Sequence, residues 1–115
     1  MKLEDYGFIG NMRTAALVGA NGSIDWLCLP RFDSNACLAA LLGEEKNGCW
    51  RIAPRDGEPM GKQRYRPDTL VLETEFETET GVVRLIDCMP PHAKFREVVR
   101  IVEGVRGKVD MAMRF

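Results

Sequence analysis

The chain has 115 residues, room for one small domain. Sixteen Lys and Arg against seventeen Asp and Glu leave a net charge of −1, without the basic excess that a nucleic-acid binder uses to neutralise phosphates. At 45% hydrophobic and 29% charged residues the composition is that of a folded domain, not a disordered chain.

At the amino terminus, MKLEDYGF places acids where a secretory leader would carry its apolar run, so a cytoplasmic location is the expectation. The longest stretch without a charge, Thr14 to Ile24, is 11 residues. A membrane-spanning helix needs about 20, so no membrane partner is expected. Asn21-Gly22 predicts a two-residue hairpin turn, because a type I′ turn takes positive φ at both central positions. Counting outward pairs Ala20 with Ser23, Val18 with Asp25, Leu17 with Trp26 and Ala16 with Leu27. Both faces of Trp26-Leu27-Cys28-Leu29 are apolar and require cover, whereas Asp25 requires a hydrogen-bond donor or water.

A short helix is expected next. Asp33 or Ser34 caps it, Ala36 to Leu42 forms its body, and Gly43 suits the position just beyond its end. Cys49–Ala53 and Lys62–Arg66 read as strands. Leu70, Leu72, Thr74 and Phe76 then alternate with Val71, Glu73, Glu75 and Glu77, the period of a half-buried strand. Val82 to Cys88 completes a hairpin across Thr80-Gly81, and Pro90-Pro91 ends it. Residues 97–103 and 108–115 form a second expected hairpin across Gly104–Gly107. In its last strand Val109, Met111, Met113 and Phe115 share one face. The alternation is still running at Phe115, so a fragment of something larger is expected. About eight short antiparallel strands with one helix predict an all-β sandwich over 1–115.

The chemistry-bearing residues are sparse. Cys28, Cys37, Cys49 and Cys88 contain no CxxC spacing and read as small buried residues. One histidine, His92, cannot supply a multi-histidine metal site. Neither GxGxxG nor a P-loop is present. No metal and no cofactor are expected. Trp26, Pro30, Arg31, Phe32 and Asp33, with Asp25, form the one concentrated constellation. An aromatic ring beside carboxylates and an arginine suits a sugar, through stacking and hydroxyl hydrogen bonds. The competing reading makes Trp26 core, Phe32 a loop anchor, Asp33 a cap and Arg31 the partner of an acid. Asp25, Asp33 and Asp87 are the acids nearest apolar surroundings, and no spacing pairs any of them with a second acid, as glycoside hydrolysis requires. The glutamates at 73, 75, 77 and 79 read as a solvated row offset by Arg64, Arg66, Arg84 and Arg100 across strands.

Arg13-Thr14-Ala15-Ala16-Leu17-Val18-Gly19 followed by Asn21-Gly22-Ser23-Ile24-Asp25-Trp26-Leu27-Cys28-Leu29-Pro30-Arg31-Phe32-Asp33-Ser34 resembles the amino-terminal signature of bacterial glycoside hydrolase family 15 proteins, which include glucoamylases, glucodextranases and trehalases. Trp50–Pro54, Tyr65–Thr74 and Arg100–Gly104 extend the similarity to nearly the whole chain. The resemblance implies part of a larger supersandwich that precedes a catalytic (α/α)6 barrel. That barrel would hold both catalytic glutamates and hydrolyse α-glucosidic bonds with inversion. The barrel is absent here, so no catalytic residue is carried over. Three roles are thereby open: a non-catalytic domain supporting the barrel, with Trp26 and Pro30–Asp33 as candidate substrate-binding or interface residues; a carbohydrate-binding module stacking an α-glucoside on Trp26, Trp50 or Tyr65; and an interaction domain without sugar chemistry. Open sheet edges, Lys108–Phe115 above all, also predict a homodimer.

Overall fold

The computed structural model describes residues 3–10, 15–28, 36–38, 49–57, 59–67, 69–89 and 98–115. A single 3-10 turn, Leu3–Asp5, precedes the strands. Strands β1 (Tyr6–Gly10), β2 (Ala15–Gly19), β3 (Ser23–Cys28), β4 (Ala36–Leu38), β5 (Trp50–Pro54) and β10 (Met111–Arg114) make one antiparallel sheet. Its order is β1-β2-β3-β5-β10, with β4 also paired to β3. Strands β6 (Lys62–Tyr65), β7 (Leu72–Glu77), β8 (Gly81–Cys88) and β9 (Val99–Gly107) make the second sheet in sequential order. The two sheets enclose the core, as the period-two pattern predicts for a sandwich.

The alternation in β7 maps onto this layering. Leu72, Thr74 and Phe76 are buried while Glu75 and Glu77 are exposed. Ile9, Ala16, Val18 and Ile24 of the first sheet pack with Leu72 and with Met89, which follows β8. Ile52 and Ala53 pack with Phe76, Val83 and Leu85. Trp50 lies against both clusters and ties them into a continuous interior.

The β2–β3 hairpin differs instructively from the two-residue turn expected at Asn21-Gly22. Gly22 N–H donates to Gly19 O at 2.9 Å and Gly22 adopts φ +84°, so the loop is three residues, Ala20 to Gly22. This is the arrangement of a tight turn followed by one left-handed residue. The longer loop pairs Val18 with Ile24, not Asp25. A bulge at Asp25 then absorbs the offset, and Leu17↔Trp26 and Ala16↔Leu27 pair as counted.

Two expectations are overturned. Ala36–Leu38, read as the start of a helix, is strand β4, with Leu27↔Leu38 and Cys28↔Ala36 as partners. A short apolar run carries no period long enough to separate helix from strand, and here the β3 backbone offers ladder bonds. The remainder of that expected helix, and its caps Asp33, Ser34 and Gly43, lie outside the described residues. The second hairpin does not form either. β9 continues through Gly104 to Gly107, where Val83↔Gly104 and Gly81↔Gly107 pair, with Val105 as the extra residue of a bulge. β10 then crosses to the other sheet and pairs with β5 through Met111↔Pro54 and Met113↔Ile52. Val109 and Met111 thereby cover the Phe76 cluster.

Candidate functional site

Of the five residues singled out for sugar or interface contact, one is described. Trp26 is half-buried on β3, opposite Leu17. Pro30, Arg31, Phe32 and Asp33 lie outside the described residues, as does His92. The neighbouring Asp25 is buried and finds the donors its apolar strand demands. Tyr6 donates its phenol to Oδ2, and Ser23 Oγ donates to Oδ1 at 2.5 Å. Burial, and then the carboxylate it binds, push the Tyr6 phenol well above the usual tyrosine range.

The most concentrated polar chemistry of the interior lies elsewhere, at Arg100. Its side chain and that of Asp87 are both 0% exposed. Arg100 Nε donates to Asp87 Oδ1 at 2.7 Å within the second sheet. Nη1 and Nη2 cross the sandwich and donate to Trp50 O and Gly22 O, each at 2.6 Å. The guanidinium carbon lies 5.1 Å from the centroid of the Trp50 ring, a cation–π distance. One side chain thus joins β9, β8, β5 and the β2–β3 turn. Burial pushes the Asp87 carboxyl up, against the pull of the Arg100 charge and hydrogen bond. Asp87 Oδ2 and the Trp50 indole N–H are buried and find no hydrogen-bond partner among the described residues.

Arg100, expected with the outer glutamates, instead turns into the sandwich. The signal that locates it is parity. Arg84 and Asp87 stand an odd number of positions apart on β8, so they occupy opposite faces. Arg84 faces outward with Glu75 and Glu103; Asp87 faces inward and must be met by a buried cation. The register Asp87↔Arg100 supplies it.

Glu73, read as part of a solvated row, is buried among arginines. Arg66 Nε approaches at 2.8 Å and Arg64 Nη2 at 3.1 Å. The hydrogen bond from Arg66, followed by that from Arg64, holds its carboxyl below the usual range despite burial. A folded-state value below the unfolded one contributes stability above the ordinary value of 4.5, and that contribution disappears as pH falls through the folded value. Glu73→Gln is therefore expected to melt below the native chain at neutral pH and to converge with it in acid. Melts that stay a constant interval apart down through the carboxylate range contradict this assignment.

Two of the aromatic candidates for sugar stacking, Trp50 and Tyr65, make other contacts. Trp50 has Arg100 over its ring and Phe115 against it edge-on, with centroids 5.8 Å apart. Tyr65 is 43% exposed beside a shallow hollow lined by Arg66, Pro67 and Leu70, and its hydroxyl accepts the Phe8 N–H at 2.8 Å. The buried carboxylates Asp25, Glu73 and Asp87 are each held by donors of this chain, an arrangement suited to fixing strands. No group of His, Cys, Asp and Glu among the described residues is arranged to hold a metal ion, and no described helix is long and apolar enough to cross a membrane.

Comparison with known proteins agrees with this picture. The family described as trehalase-like, N-terminal, matches residues 1–115. A trehalase of Thermoplasma volcanium is 42% identical over 99% of the chain, which corresponds to 19% of that protein. A trehalase of Mycolicibacterium smegmatis is 36% identical over 76% of the chain and 13% of its own length. Trehalase 1 of Sulfolobus acidocaldarius is 35% identical over 97% of the chain and 19% of its length. The chain thus spans less than a fifth of the curated relatives it matches. No solved structure matches it. The segments that meet at Arg100, namely the Asn21-Gly22 turn, Trp50–Pro54 and Arg100–Gly104, are among those that carried the resemblance in sequence, and the match from first residue to last places the chain in the trehalase-like amino-terminal domain family.

Proposed function

We propose that this chain is a non-catalytic amino-terminal domain of a family 15 type α-glucosidic hydrolase. Its role is to support and orient a catalytic (α/α)6 barrel in the cytoplasm. The observation that carries the reading is the full-length match to proteins called trehalases, in which the matching segment is a minor part. The engagement of the buried described carboxylates in strand-fixing pairs supports it, because an inverting glycosidase needs one acid kept protonated and a second beside a water. On this reading trehalose is the substrate of the whole protein. Trp26 with Pro30, Arg31, Phe32 and Asp33 is the surface turned to the barrel or to its substrate entrance.

The test replaces the amino-terminal segment of the Thermoplasma volcanium trehalase with this chain. The chimaera is expected to hydrolyse trehalose, the 115-residue chain alone to release no glucose from trehalose or maltose, and Trp26→Ala with Arg31→Ala in the chimaera to lower kcat/KM. Glucose release by the isolated chain overturns the non-catalytic assignment. A folded chimaera whose kcat/KM and melting temperature both ignore the double substitution overturns the interface.

A further inference from the structure

We propose that Cys28 and Cys37 form a reversible disulfide that staples β4 to β3. The ladder between these strands pairs Leu27 with Leu38 and Cys28 with Ala36, so β4 spends one more residue than β3, and that extra residue is Cys37. Cys37 stands between two paired neighbours, one of them opposite Cys28. Facing residues of antiparallel strands have Cα atoms about 4.5–5.5 Å apart, and one step along the facing strand brings the separation to about 6 Å. A disulfide spans about 4.4–6.8 Å between Cα atoms. In a regular ladder that single step would also put the two residues on opposite faces of the sheet and forbid the bond. The bulge interrupts the alternation and lifts that bar.

The other two cysteines have no such position. Cys49 and Cys88 are free. Cys88 belongs to the second sheet, opposite Val99. The β3–β5 register, Ser23↔Arg51 and Ile24↔Trp50, extended by one step, sets Cys49 opposite Asp25. That is three residues, or about 10 Å of strand, from Cys28. The staple also has something to hold, because β4 is three residues long and joins its sheet through two ladder pairs to β3. The bond arises by exchange with a low-molecular-weight disulfide. One cysteine thiolate displaces a small thiolate from it, and the second cysteine displaces the other from the mixed disulfide. Two protein thiols and one small disulfide thus become one protein disulfide and two small thiols. In a reducing compartment such a bond is transient and reports oxidising conditions. The chain between the two cysteines contains Pro30, Arg31, Phe32 and Asp33. Oxidation thereby restrains the surface assigned above to the barrel; that consequence rests on the functional reading, whereas the bond does not.

Trypsin separates the four cysteines. Cleavage after Arg13, Arg31, Lys46, Arg51, Arg84 and Lys94 leaves Cys28, Cys37, Cys49 and Cys88 each on its own peptide. The native 115-residue chain is incubated with oxidised glutathione, alkylated and digested without reductant. Mass spectrometry is expected to find peptides 14–31 and 32–46 joined, and to lose that species when dithiothreitol is added. The oxidised chain is expected to melt above the reduced one, since the bond restricts the unfolded chain. Cys37→Ser is expected to show neither the joined peptides nor the rise. None of these readouts depends on the barrel. Glutathione carried separately on Cys28 and Cys37 overturns the proposal, as does the joining of either to Cys49 or Cys88. A joined pair that leaves the melting temperature unchanged overturns the staple.

Discussion

Arg100→Met is expected to cost about 3–5 kcal/mol of unfolding free energy, the range for removing one partner of a buried ion pair. The loss has three parts: an unneutralised Asp87 carboxylate, and the carbonyls of Gly22 and Trp50 left without their Arg100 donors. The pH dependence identifies the mechanism. With the arginine gone, burial alone acts on Asp87, and its folded-state pKa rises further above the unfolded value. A raised carboxyl binds its proton more tightly in the folded state, so it destabilises as pH rises. The deficit of Arg100→Met is therefore greatest at neutral pH and shrinks in acid. Adding Asp87→Asn recovers part of the loss at neutral pH. Urea titrations at several pH values measure all three quantities. A deficit below about 1 kcal/mol, the value of an ordinary surface pair, would remove the clamp from the account of this fold.

Gly22→Ala is expected to be nearly as severe, about 3 kcal/mol or more. A side chain there meets two obstacles. The φ of +84° disfavours any L-residue with a Cβ, and that Cβ would lie 2.1 Å from the carbonyl oxygen of Ile52. The backbone cannot easily move aside, because Gly22 O accepts both the Ile52 N–H at 3.0 Å and Arg100. Gly57 separates the two obstacles. It has φ +75° and open space around its missing Cβ, so Gly57→Ala registers the conformational cost alone, about 1 kcal/mol. Equal losses at the two positions, read from urea midpoints, would show that crowding against Ile52 contributes nothing.

Much of the sandwich was legible because burial imposes period two directly on sequence. The β7–β8 hairpin, the Leu17–Trp26 pair and the demand of Asp25 for donors all followed from alternation and from the cost of burying a charge. What periodicity does not encode is the identity of a strand's neighbour. Residues 108–115 alternate as well beside β5 as they would beside β9, and the glycines that suggested a turn belong to a strand with a bulge at Val105. The hairpin at Asn21-Gly22 hid two compensating irregularities, a loop one residue longer and a bulge one residue later, so outer pairs came out right for an incomplete reason. The cluster from Pro30 to Asp33 was conspicuous in composition, whereas Arg100 was not. An arginine among valines looks like any other edge residue until the face of Asp87 is worked out.

The reach of Arg100 also has a temporal side. It binds carbonyls 50 and 78 positions earlier in the chain, so its contacts close very long loops. Closing loops of that length costs entropy that local pairing does not, so these contacts are expected to form late in assembly. As a late latch on the finished shell, the guanidinium is expected to act on escape from the native state: in stopped-flow measurements Arg100→Met speeds unfolding and leaves the folding rate almost unchanged, and an equal loss in the folding rate would place the contact early instead.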